Sequence, residues 1–137
     1  MNAQSRLLLT VAFTLVAGLA LPAPARADWA TRQVIAWYQR YLDRFPDRGG
    51  LRDWSDQLRR GRDPIVVEAG ILASDEYWRR AGRNPIGWVD RLFRDTTGRP
   101  PPPRDHRFWA DRLRFGDRQR VAEEFLRGLY GDRPWWF

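Results

Sequence analysis

Acid–base chemistry in this chain would rest on few side chains: Glu68, Glu76, Glu123 and Glu124, the single histidine His106, and the aspartates, with no cysteine at all. Glycan hydrolysis by paired carboxylates needs two such groups facing each other across a cleft, one held protonated by its surroundings. Glu68 or Glu76 acting with an aspartate is the pair such an enzyme would use. Glu68 and Glu123 lie on the third helix of their units with arginines nearby, which suits ordinary surface pairs worth little. His106 lies just after the prolines Pro100 to Pro103 and beside Asp105; packing suits it better than base catalysis. One histidine and no cysteine leave a zinc site of the usual kind without ligands. The turn from Asp43 to Gly49 imitates a calcium loop, but an EF-hand needs oxygen ligands at alternate positions and a closing glutamate at its twelfth. Phe45 and Trp54 stand where the third and twelfth ligands belong. The expectation is neither a catalytic set nor a cofactor.

Binding chemistry is better supplied. All 24 basic residues are arginine, against 17 acids, for a formal charge of +7. That excess favours anionic surfaces such as envelope polymers or lipid head groups, although the interspersed Asp-Arg pairs also suit solvated helix faces. Most of the eight tryptophans fall on apolar stripes; Trp78 and the terminal Trp135-Trp136-Phe137 have no evident core partner. Exposed aromatics mark partner surfaces, so the candidate contacts are Arg44, Trp78, Arg79, Arg80, Trp135 and Trp136. Residues 132–137 form an aromatic tail that either folds back onto the bundle or reaches a partner. Arg44 and Arg99 each follow a helix end and precede proline, where a guanidinium can donate to exposed carbonyls. Trp54 and Trp109 are placed to cover those turns.

Helices must position these groups. Ala30, Val34, Trp37, Tyr38, Tyr41 and Leu42 recur at three and four, the spacing of one helical face, and Pro46 ends the run near Arg44. Leu51, Trp54, Ser55 and Leu58 form a second stripe closed by Gly61. Asp63-Pro64 and Asn84-Pro85 are cap-then-proline signals that open two more helices. Between them Ser74-Asp75-Glu76 restarts or continues the third helix. Trp88, Val89, Leu92 and Phe93 make the fourth stripe, closed by Gly98, and Arg99 to Pro103 reads as a stiff extended connector. Phe108, Trp109, Arg112 and Leu113 share a fifth face ending at Gly116. Asp117 caps a sixth helix with the stripe Val121, Ala122, Phe125, Leu126 and Leu129. No stretch alternates with period two, so the fold class is all-α, with about six helices.

The six fall into two three-helix units. At a constant offset of 55 residues Arg44 returns as Arg99, Trp54 as Trp109, Asp56 as Asp111, Leu58 as Leu113 and Gly61 as Gly116. The repeats run about 34–82 and 84–130, and neither alone buries enough surface, so both should share one core within residues 28–131. The second departs at Pro102 for Asp47 and His106 for Leu51, and loses the Ser-x-Glu-Tyr element.

Ahead of the repeats, Arg6, the apolar run Leu7 to Leu21 and Ala25-Arg26-Ala27 read as a cleavable export signal over residues 1–27. The run is about 15 residues, short of the ~20 that span a bilayer. The mature chain would begin at Asp28 without a transmembrane segment, carry a charge of +5 once two arginines leave, and reside in the periplasm or outside the cell.

Tyr38, Arg40, Arg44, Pro46, Asp47, Gly50, Leu51 and Trp54, followed by Leu72-Ala73-Ser74-Asp75-Glu76-Tyr77, resemble the bacterial family called domain of unknown function 4214, itself similar to phycobilisome rod linker domains. The resemblance covers about Val34 to Tyr130. It implies an exported or surface-associated helical interaction module and brings no catalytic residues. The functional expectation is thus a non-catalytic module binding an exported or surface protein, or an anionic envelope component, rather than nucleic acid. On that view, removing residues 132–137 or replacing Trp78 by alanine lowers binding. The alternatives are an envelope glycan hydrolase and a nonspecific polyanion binder.

Overall fold

The computed structural model describes residues 24–131, with side chains from Trp29 onward. The expected signal up to residue 23 and the tail 132–137, with Trp135 and Trp136, lie outside the described residues. Seven helices follow in order among the described residues: α1 (Pro24–Leu42), α2 (Arg48–Arg59), α3 (Pro64–Leu72), α4 (Asp75–Arg80), α5 (Pro85–Thr97), α6 (Pro103–Phe115) and α7 (Arg118–Tyr130). They contain no strand, as the periodicity requires. None is long and apolar enough to cross a membrane.

Local chemistry sets most boundaries. Asp47, Asp63, Asn84 and Asp117 each accept from a backbone N–H of the helix they precede, which satisfies one donor that the helix leaves unpaired. Pro64 and Pro85 fill first helical positions, where the missing N–H is not needed. Ser74 resolves the open question of the third helix: its backbone turns to ψ 152 and its hydroxyl accepts from Tyr77 N, so α4 is a separate helix. The proline connector is shorter by one residue than expected, because Pro103 is the first residue of α6. Proline's fixed φ is pre-set for that position.

Packing is organised around α3. Seven of its residues, Ile65 and Val67 to Leu72, are buried, which follows from a helix apolar on all sides. Its largest interface is with α7, and α1 with α2 and α5 with α6 form the next largest. Arg118 at the start of α7 bonds Asp75 just beyond the end of α3, while Arg127 near the end of α7 bonds Asp63 at the start of α3. The central pair is therefore antiparallel. Trp88 on α5, wholly buried, donates Nε1–H to the Leu72 carbonyl at 3.1 Å and satisfies the end of α3.

Helix ends also tie α1 to α5. Arg40 on α1 donates to the Asp95 and Thr96 carbonyls at 2.7 and 3.0 Å, in the last turn of α5. Arg91 on α5 donates to the Tyr41 carbonyl of α1 at 3.1 Å. A cation is favoured at each of these ends, where unpaired carbonyls collect negative charge. Comparable helix ends lie 55 residues apart: α1 ends at Leu42 and α5 at Thr97, α2 begins at Arg48 and α6 at Pro103. The residue after each first helix has positive φ, Asp43 at 49° and Gly98 at 73°. Glycine takes that conformation freely, whereas aspartate is among the few side chains that tolerate it.

Candidate functional site

The carboxylates sit in two unlike environments. Glu68 is 2 % exposed within α3. Its Oε1 accepts the hydroxyls of Tyr41 from α1 and of Tyr130 from α7, the latter at 3.0 Å. Burial pushes the carboxyl above its ordinary range, while the two tyrosine bonds and Arg40 pull it back. Burial likewise raises both hydroxyls. The arrangement pins three helices together around one polar atom. The sequence did hold a signal for this: a helix without a polar face must bury any glutamate it carries.

Glu76 is held between two arginines. Arg44 Nε and Nη2 donate to it at 2.9 and 2.5 Å, and Arg80 Nη2 lies 3.2 Å away. Bonding to Arg44, foremost, keeps the carboxyl below its usual range. Arg44 also donates to the Phe45 carbonyl at 2.9 Å and stands over the Tyr38 ring at 5.1 Å. The carbonyl capping expected of Arg44 is thus a minor part of its bonding. Arg99, at the equivalent place, is exposed and makes no side-chain hydrogen bond among the described residues, because Gly131 stands where the first unit has Glu76.

Of the other sequence candidates, Trp78 does have a core partner: it packs half-buried against the core with the Arg118 guanidinium 5.2 Å above its ring. Arg79 is exposed and forms no ion pair among the described residues. Arg44, Arg80 and Glu76 are brought together, with Trp78 and Arg79 on the same short helix as Glu76 and Arg80. His106 is half-buried, with Nε2 3.1 Å from the Ile86 carbonyl. Among the described residues no three His, Cys, Asp or Glu side chains are grouped to hold a metal.

Residues that periodicity assigned to core stripes form an open groove instead. Phe108 and Leu129 are 52 % and 41 % exposed. They rim a cavity of about 380 Å³ between α5, α6 and α7, with Phe93, Trp109 and Phe125 within and Asp105 at its edge. The rings meet edge to face, Phe93 and Trp109 at 4.9 and 5.4 Å from Phe125, geometry that favours aromatic pairs. A second cavity shares Phe93, Thr97 and Asp105 with it and extends toward Arg99, Pro100 and Pro102. A third opening is polar, with Arg80, Arg91 and Arg94 facing Asp90 and Asp95. Its arginines are already paired with carboxylates. Arg91 Nε stands 3.2 Å from Asp95 as an ion pair without the alignment of a hydrogen bond.

The corresponding corner of the first unit is closed. Trp54 lies against Gly70, where an added Cβ would meet its ring at 2.7 Å, and donates Nε1–H to Tyr38 at 3.2 Å. At the offset of 55, Gly70 becomes Phe125 and Tyr38 becomes Phe93. The phenyl group replaces the space that Trp54 occupies, and no hydroxyl remains for Trp109. No protein-family model matches this chain, and neither the curated proteins nor the solved structures contain a match to it.

Proposed function

We propose that the chain is an exported, non-catalytic helical module, built from a duplicated unit of 55 residues, that docks a protein of the cell envelope in the α5–α7 groove. The single observation that carries this reading is the groove itself. Five apolar side chains form an open channel where the other unit has a sealed corner. An apolar groove rimmed by exposed side chains, here Phe108 and Leu129, is a feature of interaction sites. Arg99 in the adjoining cavity, and Arg112 at 5.4 Å over the Phe108 ring, add basic charge beside the groove, suited to a partner with acidic residues beside its apolar anchor. The leader-like residues 1–27 support the compartment.

Cosedimentation of residues 28–137 with native cell envelopes, at low and high salt, tests the reading. Capture should survive high salt and fall at least tenfold in a Phe108→Ser/Leu129→Ser variant, since both side chains are exposed and their loss leaves the core intact. Capture that disappears with salt would instead mean nonspecific polyanion binding, in which released counterions supply the affinity. Capture indifferent to the double substitution would remove the groove from the function.

A further inference from the structure

We propose that the outer face of α6 lies on an anionic phospholipid bilayer. Only Phe108 belongs both to this surface and to the groove, so the contact does not depend on the groove being a docking site. Eight of the thirteen residues of α6 are exposed. Four of them are arginine, two are phenylalanine, one is Pro103, and only Asp111 is acidic. Phe108 is 52 % exposed, and Phe115, at 90 %, is the most exposed large apolar side chain among the described residues.

Spacing gathers these groups into one stripe. Arg104, Phe108, Arg112 and Phe115 follow one another at four, four and three residues, which places them on a common helical face. The two rings stand about 10 Å apart along the axis, and Arg107 flanks them. Arg112 and Arg114 are matched by carboxylates, Glu124 and Asp111. Arg104 and Arg107 have no such match among the described residues. Neither has Arg120, whose guanidinium comes within 3.5 Å of the Cβ position at Gly116, beside Phe115.

The other unit shows that packing does not call for such a face. At the offset of 55, Phe108 and Phe115 correspond to Asp53 and Arg60, both exposed, and α2 exposes no apolar side chain. The inner faces agree, with Trp54 and Trp109, and Leu58 and Leu113, turned alike toward the core. The two phenylalanines therefore serve something outside the bundle.

Charge and shape select a bilayer as the occupant. A basic helix face bearing aromatic rings suits the boundary between head groups and acyl chains, where rings sink inward and guanidiniums meet phosphates. Arginine stems are apolar and lie beside the rings while their charged ends stay at the phosphates. A protein partner needs a pocket for each projecting ring and a carboxylate for each unpaired guanidinium, whereas a fluid bilayer supplies both at any lateral position. A second copy fits worse, because a two-fold contact sets the same unpaired arginines against one another.

Flotation with protein-free vesicles tests the contact, using the chain from Asp28 onward so that the apolar run Leu7 to Leu21 is absent. Vesicles of equal parts phosphatidylcholine and phosphatidylglycerol should bind it, and phosphatidylcholine alone should bind it far more weakly. Phe115→Ser should lower binding about tenfold, the worth of one ring returned to water. Arg104→Gln/Arg107→Gln should lower it by about fivefold for each arginine taken from an anionic surface. All three side chains are exposed, so the helical circular dichroism should not change. The sequence has no cysteine, and an environment-sensitive dye on Phe115→Cys should shift to the blue on anionic vesicles while the same dye on Arg60→Cys does not. Binding indifferent to the α6 substitutions, or a dye at position 115 that stays in water, overturns the proposal. An equal loss from Leu129→Ser also overturns it, because the lipid would then occupy the groove. Envelope capture that needs Phe115 without any vesicle binding gives the face to a protein instead. Capture that needs Leu129 without vesicle binding sinks the bilayer contact alone, whereas vesicle binding through α6 with capture indifferent to Leu129→Ser sinks the groove alone.

Discussion

Two corners of this molecule occupy equivalent places and have opposite characters. At Tyr38, Trp54 and Gly70 the indole packs directly against a glycine and gives its N–H to a tyrosine. At Phe93, Trp109 and Phe125 the same tryptophan is held off by a phenyl ring, finds no hydroxyl, and borders a channel. The difference teaches that one small-residue site decides whether the tryptophan of such a corner packs shut or borders an open groove. The tryptophan itself need not change.

Exchanging the residues that differ should break this contrast most strongly. Phe125→Gly removes a buried ring from a helix interior and should cost about 4 kcal/mol by urea unfolding. Gly70→Phe must expel Trp54, and about 3 kcal/mol of destabilisation is expected from overpacking. Losses under about 1 kcal/mol for both would mean that the corners are interchangeable.

Glu68 and Glu123 sharpen the comparison next. They stand 55 residues apart, yet one is buried between tyrosines and the other, half-buried, accepts from Gln119 at 3.1 Å. Tyr41→Phe should cost about 1–2 kcal/mol, because it removes one hydrogen bond from a buried carboxyl. The pH dependence has a definite sign. Because folding raises the Glu68 pKa, the folded chain holds that proton more tightly, and the associated stability is complete in acid and lost as pH rises through the elevated value. Glu68→Gln keeps a neutral acceptor for both tyrosines, so its stability relative to the parent should improve as pH rises and converge in acid. A flat difference would mean that folding leaves the Glu68 pKa where it is in the unfolded chain. Glu76, lowered by Arg44, acts in the opposite sense: its stability is present above the ordinary carboxylate range and lost as pH falls, and Glu76→Gln should abolish that acid-side slope.

The smallest effects separate the two arginines. Arg44→Ala loses a two-pronged, partly shielded ion pair and should cost about 1 kcal/mol. Arg99→Ala should stay within about 0.5 kcal/mol. Equal losses in thermal unfolding would show that the missing acid at Gly131 is compensated elsewhere.

Where structure is set by neighbours in sequence, it was legible. The pairs Asp63-Pro64 and Asn84-Pro85, the glycine at 98 and the cap at Asp117 act within a few bonds, and their helices begin or end there. Ser74 left the third helix ambiguous because a serine can sit inside a helix or cap one, and only the backbone decides. Periodicity placed Phe108 and Leu129 on apolar faces correctly but could not say whether anything packs against those faces. Arg40 and Arg91 were illegible for a different reason, since their carbonyl partners lie 50 or more residues away. The same holds for Arg44, whose acid is 32 residues distant.

Arg40 and Arg91 also bear on how the molecule could be divided. Each arginine belongs to one half of the chain and completes a helix of the other, so a backbone cut in the exposed Gly82–Arg83 link, where both residues have positive φ, would yield two fragments with complementary deficits. Neither would be a free-standing module, but each would present what the other lacks. The two halves are thus suited to serve as a split pair that regains its fold only on reunion.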